Sequence, residues 1–102
     1  MVQVRRQPSA IWRVTRRRVW LRDQGRCQGP YCQDVGHWSL SLRSAHIDHV
    51  QELSQGGSNC LDNLRTLCRR CHCLRSSHAH RAMVMKALKD GVIPVNWREW
   101  VW

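Results

Sequence analysis

Four cysteines fall into two close pairs. Cys27 and Cys32 have four residues between them, and Cys68 and Cys71 have two. Either spacing lets two thiolates reach one tetrahedral ion from a tight turn, and both pairs lie on turn-forming sequence, so together they predict a structural zinc site. The plainer alternative is a set of unpaired thiols. Cys60 and Cys73 fall outside this scheme. Cys60 would serve as a ligand only if Cys32 pointed away, and Cys73 lies two residues past Cys71, where a helix turns its side chain elsewhere; both are expected to be small core residues. A second reactive set lies between and beside the pairs: Asp48 and His49 in Ala45-His-Ile-Asp-His-Val50, then Gly56-Gly57, Asn63-Leu64 and Cys71-His72. A carboxylate and an imidazole make a mixed pair for a divalent ion that leaves positions open for water and phosphate. A further imidazole beside such an ion can take a proton from water, because imidazole ordinarily titrates near ~6.5 and is mostly neutral at pH 7.

Each of these residues also has a plain reading on its own. Asp48 reads as a turn residue, His49 as a satisfied strand histidine, Asn63 as a cap or turn residue, and His72 as a fifth zinc candidate. They come together only if a strand, a loop, a second strand and a helix fold back on one another. The stretch 38–47 alternates enough for a strand, and Ile47 and Val50 bracket the Asp-His pair. Residues 51–62 hold Ser54-Gln-Gly-Gly-Ser-Asn59, a loop between two strands, and Leu64 to Leu67 form the second strand. Cys68 to Cys71 read as a turn, and a helix is expected from about Cys71 to Lys89, stopped by Asp90-Gly91. In a strand, residues two apart share a face, so His46 lies near Asp48 and either contacts phosphate or packs. His37 reads as a loop residue and His78 and His80 as surface; His80 is eight residues past His72, ~12 Å along a helix, too far to share an ion.

Upstream, Ser9 is expected to cap a helix running to about Asp23, with Gly25 just past its end. Arg13, Arg16, Arg17, Arg18 and Arg22 crowd this helix with no acid before Asp23. They form either a solvated face or a phosphate-facing stripe.

Length and composition set the frame. At 102 residues and 12.0 kDa the chain makes one domain. Seventeen Lys and Arg against seven Asp and Glu leave +10, and 42% hydrophobic residues make it too apolar for a disordered basic tail. That charge favours a polyanion, nucleic acid before an anionic membrane surface; a merely soluble basic protein is the plain alternative. No apolar run nears the ~20 residues needed to cross a bilayer. No secretory signal is evident, so a reducing cytoplasm is expected, where cysteines bind metal more often than they form disulfides. The core lacks Phe and has six Trp. A bound metal would add folding free energy to so small a body. Trp97, Trp100 and Trp102 in the tail either wrap the domain or form a patch for a partner.

From Cys27 to about Arg75, near half the chain, the ordered residues resemble the HNH endonuclease family. The Asp-His pair, the Gly-Gly, the Asn-Leu and the Leu-Cys-x-x-Cys-His occur in the family's order and spacing. The resemblance implies a small α+β fold with a ββα-metal (His-Me finger) core and a structural zinc, flanked by an N-terminal helix and a Trp-rich C-terminal tail. The expected division is a basic arm at 1–8, one nuclease domain at 9–91 with its zinc and ββα core at 27–89, and the tail at 92–102. It implies that Asp48 and His72 bind a catalytic Mg²⁺ or Mn²⁺, that His49 is the general base, and that Asn63 steadies the loop carrying it. Cys27, Cys32, Cys68 and Cys71 would hold the structural Zn²⁺. The implied activity is hydrolysis of DNA phosphodiester bonds, by nicking or double-strand cleavage, leaving a 5′-phosphate and a 3′-hydroxyl. Two departures stand out. Ser76 occupies a position where some members carry a further histidine, so fewer side chains would hold the ion, which suits Mg²⁺. Arg75 stands where some members have Lys, keeping a cation for phosphate. Small stand-alone chains of this kind occur in tailed phages beside the DNA-packaging terminase, which makes a terminase an implied partner. The competing readings are a zinc-stapled DNA-binding module without catalysis, and an adaptor that uses the tail.

Overall fold

The structure, a computed structural model, describes residues 5–32, 39–76 and 81–102. Helix α1 spans Ser9–Arg22. Pro8 takes the N-cap position, its carbonyl accepting from Trp12 N at 2.9 Å, with no side-chain cap. Ser9 is therefore the first helical residue and not the expected cap; proline's fixed φ presets the entry. Gln24 and Gly25 adopt positive φ and end the helix. A Cβ on Gly25 would lie 2.9 Å from Leu40 O and 2.5 Å from Ser39 Oγ, so this close approach of backbones requires glycine.

The helix lies against a two-stranded antiparallel sheet, β1 (His46–His49) and β2 (Leu64–Leu67), with His46 opposite Leu67 and Asp48 opposite Arg65. Thr15 and Val19 are its buried residues. Two of its five arginines are fasteners. Arg16 donates to Leu42 O and Ala45 O at 2.9 and 2.8 Å, and Arg22 to Leu61 O and Leu64 O at 2.8 and 2.6 Å. Asp23 completes the join by accepting from Thr66 N at 2.9 Å. Arg13, Arg17 and Arg18 stay exposed, so the five arginines form neither a uniform solvated face nor a uniform stripe.

Strand β1 is shorter than the alternation over 38–47 suggests. Residues 41–45 close a turn in which Ser44 and Ala45 both donate to Ser41 O, taking main-chain groups that a longer ladder would need. Position 38 lies outside the described residues, as does His37. The loop joining the strands holds 3₁₀ turns at Leu53–Gln55 and Leu61–Asn63. Gly57 is obligatory there, because a Cβ would collide with the carbonyl of Gln51.

The helix expected over 71–89 is two helices. α2 covers Arg69–Cys73, so part of the expected Cys68–Cys71 turn is already helical, and α3 covers Arg81–Lys89. The break has a cause at the other end of the chain. Ser76 N donates to Trp102 O and Trp102 N to Leu74 O, both at 2.9 Å, so the tail takes backbone groups a continuing helix would use. Residues 77–80, with His78 and His80, lie outside the described residues. Helix α3 ends as expected, with Gly91 at φ 73° and Val92 N donating to Ala87 O at 2.9 Å. Asp90 bonds Arg69 at 2.7 Å and Lys86 at 3.2 Å, tying the start of α2 to the end of α3.

A core of Cys73, Leu74, Val84, Ala87 and Ile93 lies beneath the tail, with Tyr31, Trp97 and Trp102 packed on it. Trp102 therefore wraps the domain. Cys73 is a core residue as expected, but Cys60 is exposed, because it sits outside the core as the N-cap of the 3₁₀ turn 61–63. No helix among the described residues is long and apolar enough to cross a membrane.

Candidate metal and hydrolytic site

Two turns bring the sulfurs together. The knuckle at 27–32 is fixed to the sheet by Gln28 N donating to Thr66 O at 2.8 Å, and Cys68 caps α2 with its sulfur, which accepts from Cys71 N at 3.4 Å. The sulfurs of Cys27, Cys32, Cys68 and Cys71 all lie within 4.8 Å of one another. Cys32 lies 3.7 Å from Cys68 and 3.8 Å from Cys71. Tetrahedral ligands at ~2.3 Å from one ion sit about 3.8 Å apart, so the cluster could hold a metal such as zinc. Gly29 makes the closure possible, since a Cβ there would stand 2.6 Å from Cys71 Cβ. Its N–H donates to Cys27 Sγ at 3.3 Å, and Arg70 approaches Cys32 Sγ at 3.8 Å. Bonds from Cys27 and then Cys71 hold Cys68 far below the ordinary thiol range. In return, Cys68 pushes Cys27 up to about 11, and Cys27 and Cys68 together push Cys71 up. Sulfurs this close cannot all be anionic unless a cation joins them, which is the chemistry of a metal-binding set.

His72, the residue after Cys71, belongs to a different group. Its Nε2 lies 3.5 Å from Asp48 Oδ1, and its Nδ1 lies 2.8 Å from His46 Nδ1, the two rings meeting edge to face. Strand alternation puts His46 on Asp48's face, as its spacing suggested. Asp48 is only 4% exposed and carries two guanidiniums. Arg65, its cross-strand partner, donates Nε to Oδ2 at 3.0 Å. Arg75 donates Nη1 to Oδ2 at 2.7 Å and to Oδ1 at 3.0 Å, and reaches His49 O and Val50 O at 2.9 and 3.1 Å. The Trp102 ring lies against both, 4.7 Å from Arg65 Cζ and 5.6 Å from Arg75 Cζ. Two adjacent ligands of a six-coordinate ion at ~2.1 Å stand about 3 Å apart, so Asp48 and His72 suit a shared divalent ion with water completing its shell. Such an ion would share the carboxylate with Arg75 or displace it.

His49, next along β1, contacts another element. Its ring stacks on Trp12 of α1, with centroids 5.5 Å apart and planes 8° from parallel, and its Nε2 lies 2.9 Å from Asn59 Oδ1. Asn63 clamps the loop after it, accepting from Gln51 N at 2.9 Å and donating to Gln51 O at 2.9 Å and Ser58 O at 2.7 Å. Asp48 and His72 thus meet directly, whereas the ring of His49, the next residue along β1 and so on its alternate face, contacts Trp12 of α1 and Asn59 of the loop. Sequence reasoning missed Arg65, Trp12, Asn59 and Trp102. Only the strand register could have pointed to Arg65.

A family model described as HNH endonuclease matches residues 27–78, just over half of the chain. The chain belongs to the HNH endonuclease family. Its β1, β2 and α2 are the ββα unit of an HNH nuclease, and the four-cysteine cluster lies within the same matched segment. HNH nucleases act on DNA. Comparisons of the chain with curated proteins and with solved structures find no match.

Proposed function

We propose that this HNH protein hydrolyses DNA phosphodiester bonds with a divalent ion held by Asp48 and His72, with His49 as general base and a structural zinc on the four cysteines. The observation that supports it most is the meeting of a buried carboxylate and an imidazole at 3.5 Å, with a second imidazole, held by other elements, at the next position of β1. The ion, Mg²⁺ or Mn²⁺, would supply positive charge at the scissile phosphate and the leaving 3′ oxygen. His49 takes the proton of the attacking water. Asn63, bonded to both sides of the loop, keeps His49 from drifting. Arg65 and Arg75 hold Asp48 in one rotamer. His46 buttresses His72. The exposed Arg13, Arg17 and Arg18 of α1, with the net charge of +10, attract the phosphate backbone.

The test is incubation with supercoiled plasmid across a Mg²⁺ and Mn²⁺ series, beside His49→Ala. Cleavage by the parent and at least a hundredfold loss in the variant is the expected result. Equal inactivity under every metal overturns it. One observation favours the second reading, a DNA-binding module without catalysis: two guanidiniums already neutralise Asp48. That reading expects plasmid binding with no cleavage. A role in phage DNA packaging rests on the resemblance alone; capture of a terminase by the full chain is its test.

A further inference from the structure

Asn59 joins His49 to a part of the chain outside the matched segment. Its Nδ2 lies 2.7 Å from the carbonyl oxygen of Arg5, and its Oδ1 lies 2.9 Å from His49 Nε2. A carbonyl can only accept, so the amide nitrogen must face Arg5, and Oδ1 must then face the imidazole. Oδ1 is itself only an acceptor, so the proton of a neutral His49 has to sit on Nε2. The lone pair is then on Nδ1. Trp12, stacked on the ring, removes the other freedom, rotation of the imidazole plane. We propose that Asn59, anchored by the N-terminal arm at Arg5, is a positioning residue that fixes the His49 tautomer and presents Nδ1 as the base.

This deepens the nuclease reading and rests on His49 being its base. In the step, a water O–H bond breaks, the proton goes to Nδ1, and the oxygen keeps the electron pair with which it attacks phosphorus; the P–O3′ bond breaks, its electron pair stays on the 3′ oxygen, and that oxygen takes a proton from solvent water. The imidazolium so formed still donates Nε2–H to Asn59, which stabilises it. Uncharged side chains contact the ring, Trp12 from α1 and Asn59 from the loop, and Arg75 donates to the His49 carbonyl oxygen at 2.9 Å.

Asn59→Ala removes the acceptor and lets both tautomers form, so kcat falls about tenfold or more while KM for plasmid changes less than about twofold. Asn59→Asp keeps an acceptor for Nε2 but sets a second oxygen against the Arg5 carbonyl, so the anchor is lost and kcat falls as well. Removal of residues 1–7 lowers kcat in the same direction, and adding Asn59→Ala to it costs less than in the full chain. If Asn59→Ala leaves kcat unchanged, the proposal is overturned. Imidazole ¹⁵N spectra of the full zinc-loaded chain test it independently of turnover. An Nε2–H tautomer in the parent that becomes mixed in Asn59→Ala supports the tautomer control, and identical spectra refute it. Should the parent cut no plasmid while the spectra differ, the nuclease reading and the base role fail and the tautomer lock stands.

Discussion

Asp48 is almost fully buried and answers to three cationic or ionisable side chains: Arg65, Arg75 and His72. A charge this enclosed is stable only because its partners are enclosed with it. Asp48→Asn keeps the shape and removes the charge, leaving two guanidiniums, 21% and 16% exposed, without their anion. Unfolding by denaturant should show a loss of about 2–4 kcal/mol, and cleavage should vanish even at temperatures where the variant is folded. At this scale the sequence was readable where chemistry follows residue type. The meeting of Asp48 with His72 and the gathering of the four cysteines could be anticipated, because few other roles suit these residue types in that order. Arg65 and Asn59 could not. Arginine and asparagine are common surface residues, and their partners become known only when the register and the arm are fixed.

The knuckle at 27–32 and α2 share the four-sulfur cluster, and Gly29 lies where the two elements approach closely. Gly29→Ala would push a methyl into Cys71 and spread the sulfurs. A competition titration with a chromophoric chelator should give zinc affinity lower by at least about tenfold. Complete zinc removal should abolish the cooperative melt followed by circular dichroism, whereas withholding Mg²⁺ should leave it intact; a melt unchanged by strong chelation counts against a structural zinc. The junction of α2 and α3 carries a pH signature. Arg69, then Lys86, hold the Asp90 carboxyl below the ordinary carboxylate range. A carboxyl with a lowered folded pKa contributes its stability above its unfolded value and loses it as pH falls through the folded one. Asp90→Asn should therefore lower Tm slightly at pH 7, and the difference should close in acid, below about pH 4. The second strand and α1 were legible because period and punctuation are local, whereas β1 overlaps the alternating stretch 38–47 only at His46 and Ile47. The break between α2 and α3 was not, since residue 102 supplies the bonds that end α2.

Across the whole molecule, charge is distributed by task. Arg16, Arg22, Arg65 and Arg75 are occupied within the fold, whereas Arg13, Arg17 and Arg18 remain on the surface of α1. Neutralising each of those three should weaken DNA binding evenly across sequences. Each should also reduce the slope of log affinity against log salt by about one unit, as read by fluorescence anisotropy. Composition could announce a polyanionic partner but could not divide seventeen cations into fasteners and contacts.

Arg16 and Arg22 grip main-chain oxygens and no side chain of the segments they hold. Every residue type brings such an oxygen, so substitutions at the exposed position 61 should drift freely without loosening the mount. The guanidinium fork has no such latitude. Lysine at 22 would keep the charge yet offer a single ammonium where Nη1 reaches Leu61 O and Nη2 reaches Leu64 O, and the helix would lose its grip on the segment leading into β2.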